Sequence, residues 1–169
     1  MDFNAMAAYA AVIAAGAAVV GVYTESKRAR FALGVDLLMK VDERFNSEQI
    51  RKARRAAAEC LVDKTKKDVS DTDDLLDFFD SLGLLTRRGA LDEVMVWHTF
   101  FPWVNVYWNA ANQYITSSRQ KEPTLWANAA YLYQHLAAIE KRECGRSDSY
   151  TALTDDDIRE FLIYESSLS

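Results

Sequence analysis

Hydrophobic positions follow two regimes along this chain. From Phe3 to Thr24 the sequence reads FNAMAAYAAVIAAGAAVVGVYT and carries no charged side chain. A run of about 20 such residues is long enough to cross a hydrocarbon core as a helix. Beyond it, apolar residues recur every three or four positions, the period of a helix with one buried face. Phe31, Leu38, Val41 and Phe45 carry this period onward with no proline in between. The pattern predicts one helix of about 40 residues, roughly 60 Å long. Asn46 and Ser47 are good N-caps for a second helix, with Ile50, Ala53, Ala57 and Leu61 on one face. Ending near Lys67, it would fold back along the first. Asp71, Asp73 and Asp74 suit the positive end of a third helix dipole. Leu75, Leu76, Phe78, Phe79 and Leu82 form its apolar face, and Gly83 stands where a C′ stop is expected.

The next predicted helix is long, from Ala90 to about Ser118. It carries two apolar stripes, Trp97/Phe101/Val104/Trp108/Ile115 and Val96/Phe100/Trp103/Tyr107/Tyr114. His98, Asn105, Asn109 and Asn112 form a narrow polar third. Those polar residues argue against a second membrane pass over 94–118, although the segment is uncharged. Pro102 removes a backbone hydrogen bond to the His98 carbonyl and is expected to kink the helix. Pro123 suits the start of another helix, with Leu125, Ala129, Leu132, Leu136 and Ile139 facing inward and Gly145 ending it. A last helix is capped by Thr154, with Asp155, Asp156 and Asp157 in its first turn.

Two prolines and six glycines in 169 residues reinforce the helical pattern. The expected fold class is all-α, one N-terminal transmembrane helix (about 3–24) extending into a cytoplasmic bundle of about five further helices. The expected domains are a membrane anchor over 1–30 and a cytoplasmic domain over 31–169. Charge sets the orientation. Asp2 alone precedes the uncharged run, and Lys27, Arg28 and Arg30 follow it at once. One-sided basic flanks stay inside, so the N-terminus is expected outside a cell inner membrane. A secretory signal peptide would carry its basic residues before the apolar run. A buried core helix is the stronger rival, because alanine dominates the run and adds little insertion energy. The same alanines allow close helix approach. Ala14, Ala17, Ala18 and Gly21 are accordingly the expected interface with a partner helix.

The net charge of −5 is unevenly spread. Residues 25–67 carry +5 and residues 68–169 carry −9. Lys27, Arg28, Arg30, Lys64, Lys66 and Lys67 are the expected contacts with anionic lipid. The acidic distal part is the wrong sign for nucleic acid. Arg51, Lys52, Arg54 and Arg55 read as a solvated helix face, and the acidic runs as solvated helix N-termini.

Chemistry is sparse. His98 and His135 fall on different predicted helices, and neither has a carboxylate at i+3 or i+4. No phosphate-cradling glycine loop, nucleophile elbow or HExxH is present. Leu82, Leu84, Arg87 and Arg88 occupy positions where a calcium loop needs oxygen ligands. Cys60 and Cys144 fit a reducing compartment without requiring a disulfide. No catalytic residue, cofactor or metal is expected.

The run LLDFFDSLGLLTRRGALDEVMVWHTFFPWVNVYW, behind a membrane helix with a basic end, resembles an uncharacterised family of small bacterial single-pass helical proteins. The likeness spans roughly residues 10 to 145. It implies the fold and transfers no activity. The expected function is a non-catalytic accessory or scaffold subunit of a larger membrane complex. Its expected partners are the bilayer and another integral membrane protein or a second copy. The alternative is a membrane-tethered ligand- or cofactor-binding module using the polar stripe His98, Asn105, Asn109 and Asn112.

Overall fold

The computed structural model describes residues 3–63, 71–144 and 153–167, with the main chain alone described for residues 3–20 and for residue 71. Among them are seven helices and no strand: α1 (Phe3–Phe45), α2 (Glu48–Val62), α3 (Asp71–Arg87), α4 (Glu93–Ala110), α5 (Asn112–Lys121), α6 (Ala127–Glu143) and α7 (Asp155–Ser167). The all-α expectation holds, and α1 is one helix of 43 residues. Among the described residues no helix is long and apolar enough to cross a membrane. Most of the expected span, 3–24, lies where side chains are outside the described residues. By contacts the chain divides into two units, Met1–Asp36 and Leu37–Ser169.

In the second unit, α3 packs chiefly on α6, α2 on α7 and α3, and α4 on α6 and α7. Phe45, at the end of α1, is the aromatic hub. Its ring lies 5.2 Å from Phe78, 5.4 Å from Phe100 and 5.3 Å from Trp103. Leu75, Leu76, Phe78, Phe79 and Leu82 are all buried, as their spacing predicts. Both stripes of the long helix turn inward. Val96, Phe100, Phe101, Val104, Tyr107 and Ile115 are buried, while Trp97, Trp103, Trp108 and Tyr114 are half-buried.

The helix ends follow local chemistry. Ser47 caps α2 and accepts from the Ile50 N–H. Thr154 and Asp157 form a reciprocal capping box at α7. The Asp157 N–H donates to the Thr154 hydroxyl oxygen, and the Thr154 N–H donates to the Asp157 carboxylate. α3 does not stop at Gly83. It runs on to Arg87, and Gly89, at φ +69°, makes the stop. Gly89 N–H donates to the Thr86 carbonyl and Ala90 N–H to the Leu85 carbonyl, the paired bonds of a Schellman motif.

Gly83 serves a different purpose. A Cβ there would stand 2.1 Å from the Asn128 carbonyl oxygen and 3.2 Å from Leu132 Cβ. The missing side chain is what lets α3 and α6 cross so closely. The same crossing corrects the start of α6, which begins at Ala127 rather than at Pro123. Trp126, at φ +51°, stands at the cap position without a capping side chain. Asp80 of α3 supplies the cap across the interface, accepting from the Asn128 and Ala129 N–H groups at 2.8 and 3.0 Å. The long helix is also shorter than expected. It is interrupted at Ala111 (φ −86°, ψ 3°), whereas Pro102 lies inside α4.

Candidate functional site

Asp92 fixes where α4 begins, its carboxylate accepting from the Val94 and Met95 N–H groups, both at 3.0 Å. This sets the helical phase. Val96, Phe100 and Tyr107 point to the core, and His98, Pro102 and Asn105 point outward or to the margin. A cleft of about 300 Å³ opens along that margin, lined by Trp97, His98, Phe101, Pro102, Asn105, Glu140 and Leu153. The Trp97 indole N–H donates to Glu140 Oε2 at 2.7 Å and fixes the carboxylate at the cleft wall. Burial, reinforced by the hydrogen bond to Glu140, raises the Cys144 thiol above its ordinary pKa.

The expected polar stripe is divided by this geometry. His98 and Asn105 line the cleft, while Asn109 and Asn112 line a separate open groove with Gln113, Thr116, Ser117 and Gln120. Asn109 is engaged within the fold. Its amide donates to Asn105 Oδ1 at 2.9 Å, and its own Oδ1 accepts from the Tyr133 hydroxyl at 3.3 Å. No local pattern marks Glu140, because its partner Trp97 lies 43 residues away. His135 likewise meets a distant carboxylate, Glu93 Oε2 at 2.6 Å. Among the described residues no group of three or more His, Cys, Asp or Glu side chains is placed to hold a metal ion.

Charge is also buried on a helix face expected to be solvated. Arg54 is 5% exposed and Glu165 3% exposed. Arg54 Nε and a terminal guanidinium nitrogen donate to the two oxygens of Glu165 at 2.8 and 2.7 Å. The guanidinium lies 4.4 Å from the Phe45 ring centroid and 5.4 Å from that of Trp103. The Tyr107 hydroxyl donates to the Arg54 carbonyl at 2.9 Å. Burial first, and then the Glu165 charge, raises Tyr107 well above the ordinary tyrosine pKa. The solvated-face expectation survives for Arg51, Lys52 and Arg55, which are exposed. It fails for Arg54, which shares a helix face with Ile50 and Ala57.

The acids of α3 need the same correction. Asp73, Asp77 and Asp80 lie at i, i+4 and i+7 on one face. They accept respectively from the Tyr114 hydroxyl at 2.7 Å, the Trp126 indole at 2.8 Å and the N-terminus of α6. These carboxylates join elements together rather than merely facing solvent.

In the first unit, Lys27, Arg28 and Arg30 are exposed, and the Lys27 ammonium sits 4.8 Å from the Tyr23 ring centroid. A Cβ at Gly21 would meet nothing within 4 Å. The side chains of Ala14, Ala17 and Ala18 lie outside the described residues, as do Lys64, Lys66 and Lys67.

A family model described as a domain of unknown function, DUF4760, matches residues 7–136. No curated protein and no solved structure matches the chain. The matched span takes in α2 to α5, most of α1 and the first part of α6, and leaves α7 outside. The chain belongs to the DUF4760 family.

Proposed function

We propose that this chain is a non-catalytic accessory or scaffold subunit, anchored in a bacterial inner membrane by the first part of α1 and joined there to another integral membrane protein. The observation that carries the reading is the exposed character of α1 from the end of the uncharged run onward. Val22, Tyr23, Phe31, Leu33 and Met39 are large apolar side chains left exposed, interleaved with exposed Lys27, Arg28 and Arg30. Large apolar side chains left exposed along one helix suit contact with a partner or a membrane. A tyrosine beside lysine and arginine, at the end of an uncharged run, fits a membrane–water interface. In this reading the N-terminus is outside and the helical domain cytoplasmic, and the contact with the partner helix centres on Ala14, Ala17, Ala18 and Gly21.

The contact predicts a separation of two properties. Ala17→Leu with Gly21→Leu should leave the chain in the membrane fraction, since leucine inserts better than alanine or glycine. The same pair should release it from its complex, because close backbone approach is lost. Native electrophoresis of mild-detergent extracts reads the second property. An unchanged large assembly would shift the contact to the helical domain. A second reading, a membrane-tethered ligand module, draws on the Trp97–Glu140 cleft. An absorption spectrum of the purified chain tests it for a bound pigment.

A further inference from the structure

We propose that the cleft between α4 and α6 binds an alkylammonium group, a site that is independent of the membrane reading above. Three features of its lining converge on a cation that donates hydrogen bonds. The first is Glu140, whose carboxylate is oriented by the Trp97 indole, is also met by the Cys144 thiol, and still has acceptor capacity beyond these two bonds. The second is the backbone. Pro102 has no N–H to direct at the His98 carbonyl four residues earlier, and both residues line the cleft. That carbonyl is therefore an acceptor lacking its helical donor, and such groups in protein structures take up other donors. The third is the wall itself. Trp97 and Phe101 contribute aromatic rings, and Leu153 and Pro102 complete an apolar surround for an alkyl stem. Aromatic faces attract ammonium groups, tryptophan most strongly.

Charge and size agree with this class. Residues 68–169, which supply every residue of the lining, carry a net −9. Among the described residues of the lining, Glu140 is the only side chain with a permanent charge, and none is lysine or arginine. A volume of about 300 Å³ is at the small end for ligand sites, sufficient for one amine-bearing chain. An anion would face the Glu140 carboxylate, and a purely apolar ligand would leave that carboxylate's remaining acceptor capacity unused. The ammonium could belong to a free amine or to a lysine side chain of a partner protein.

The test uses the full chain in mild detergent, followed by NMR of the Trp97 indole N–H, assigned with Trp97→Phe. n-Butylammonium is titrated beside n-butanol, its neutral match, and beside a short lysine-containing peptide. A saturable shift with butylammonium and none with butanol is the expected result, and identifies a free-amine site. Saturation with the lysine peptide alone supports the same chemistry with a partner's side chain as its source. Glu140→Gln keeps an acceptor for the indole and should weaken binding roughly tenfold or more, as expected for losing a charged hydrogen bond. Pro102→Ala restores the missing N–H and should also weaken binding while thermal stability is kept or raised, which separates lost binding from lost fold. No saturable shift with either ammonium probe, an equal response to butanol, or unchanged affinity in Glu140→Gln would overturn the proposal.

Discussion

Glu165→Ala is expected to destabilise the helical domain by about 3–5 kcal/mol, because it strands the Arg54 guanidinium in the core without its counter-charge. Arg54 and Glu165 are both almost wholly buried, and their two hydrogen bonds join α2 to α7 across 111 residues. The Tyr107 hydroxyl and the Trp103 indole also reach Glu165, both at 3.3 Å, so α4 loses partners in the same event. The loss should not be symmetric with removing the pair. Replacing both residues together, Arg54→Met with Glu165→Leu, takes away the buried charges along with their attraction, and should recover most of the stability. Urea unfolding of the native chain, Glu165→Ala and the double variant measures this. A Glu165→Ala loss below about 1 kcal/mol, the range of an exposed pair, would mean that α7 does not hold this ion pair in solution.

Gly83→Ala should be the most damaging of the conservative glycine changes. Alanine in a helix interior is ordinarily favourable by about 1 kcal/mol over glycine. Here the added methyl meets the Asn128 main chain, which cannot rotate away as a flexible side chain could. Asn128 is itself held through its N–H and side-chain amide by Asp80. α3 and α6 must separate, and overpacking of this kind typically costs about 1–3 kcal/mol beyond the propensity gain. The comparison is internal to the chain. Gly21→Ala meets open space in a helix and should be neutral or stabilising. Gly89→Ala meets open space too, but its φ of +69° should cost roughly 1–2 kcal/mol. Thermal unfolding should show Gly83→Ala lowest, and an order with Gly83→Ala above Gly89→Ala would remove the close crossing from the account.

Gly83 also shows what a sequence pattern can convey. Glycine after an apolar helical run reads as a stop, because that is its commonest use at a helix end. A close crossing by a helix some 45 residues downstream leaves no local trace. The features that were legible are those set by neighbours in sequence. Ser47, the Thr154–Asp157 box, the inward faces of α3 and α6, and the continuity of α1 all follow from residues within one or two turns. Pro123 misled for the converse reason, since the start of α6 is fixed by Asp80 from another helix. Arg54 and Glu165 were within reach of the pattern. Arg54 is four residues from Ile50, and Glu165 is four from Phe161 and three from Leu162, so each charge lies on an apolar face. The cleft was half legible: His98 and Asn105 stood out as polar residues on an aromatic helix, whereas Glu140 required the fold.

The proposed function requires that the uncharged start of α1 anchor the chain in a bilayer with the helical domain inside. Membrane fractionation with an alkaline carbonate wash, joined to thiol labelling, tests it most directly. Cys144 is the reporter, being half-buried where Cys60 is buried. The account predicts full-length chain in the washed pellet, with Cys144 modified by a membrane-impermeant maleimide only after the cells are opened. Chain released into the carbonate supernatant, or labelled in intact cells, would contradict it.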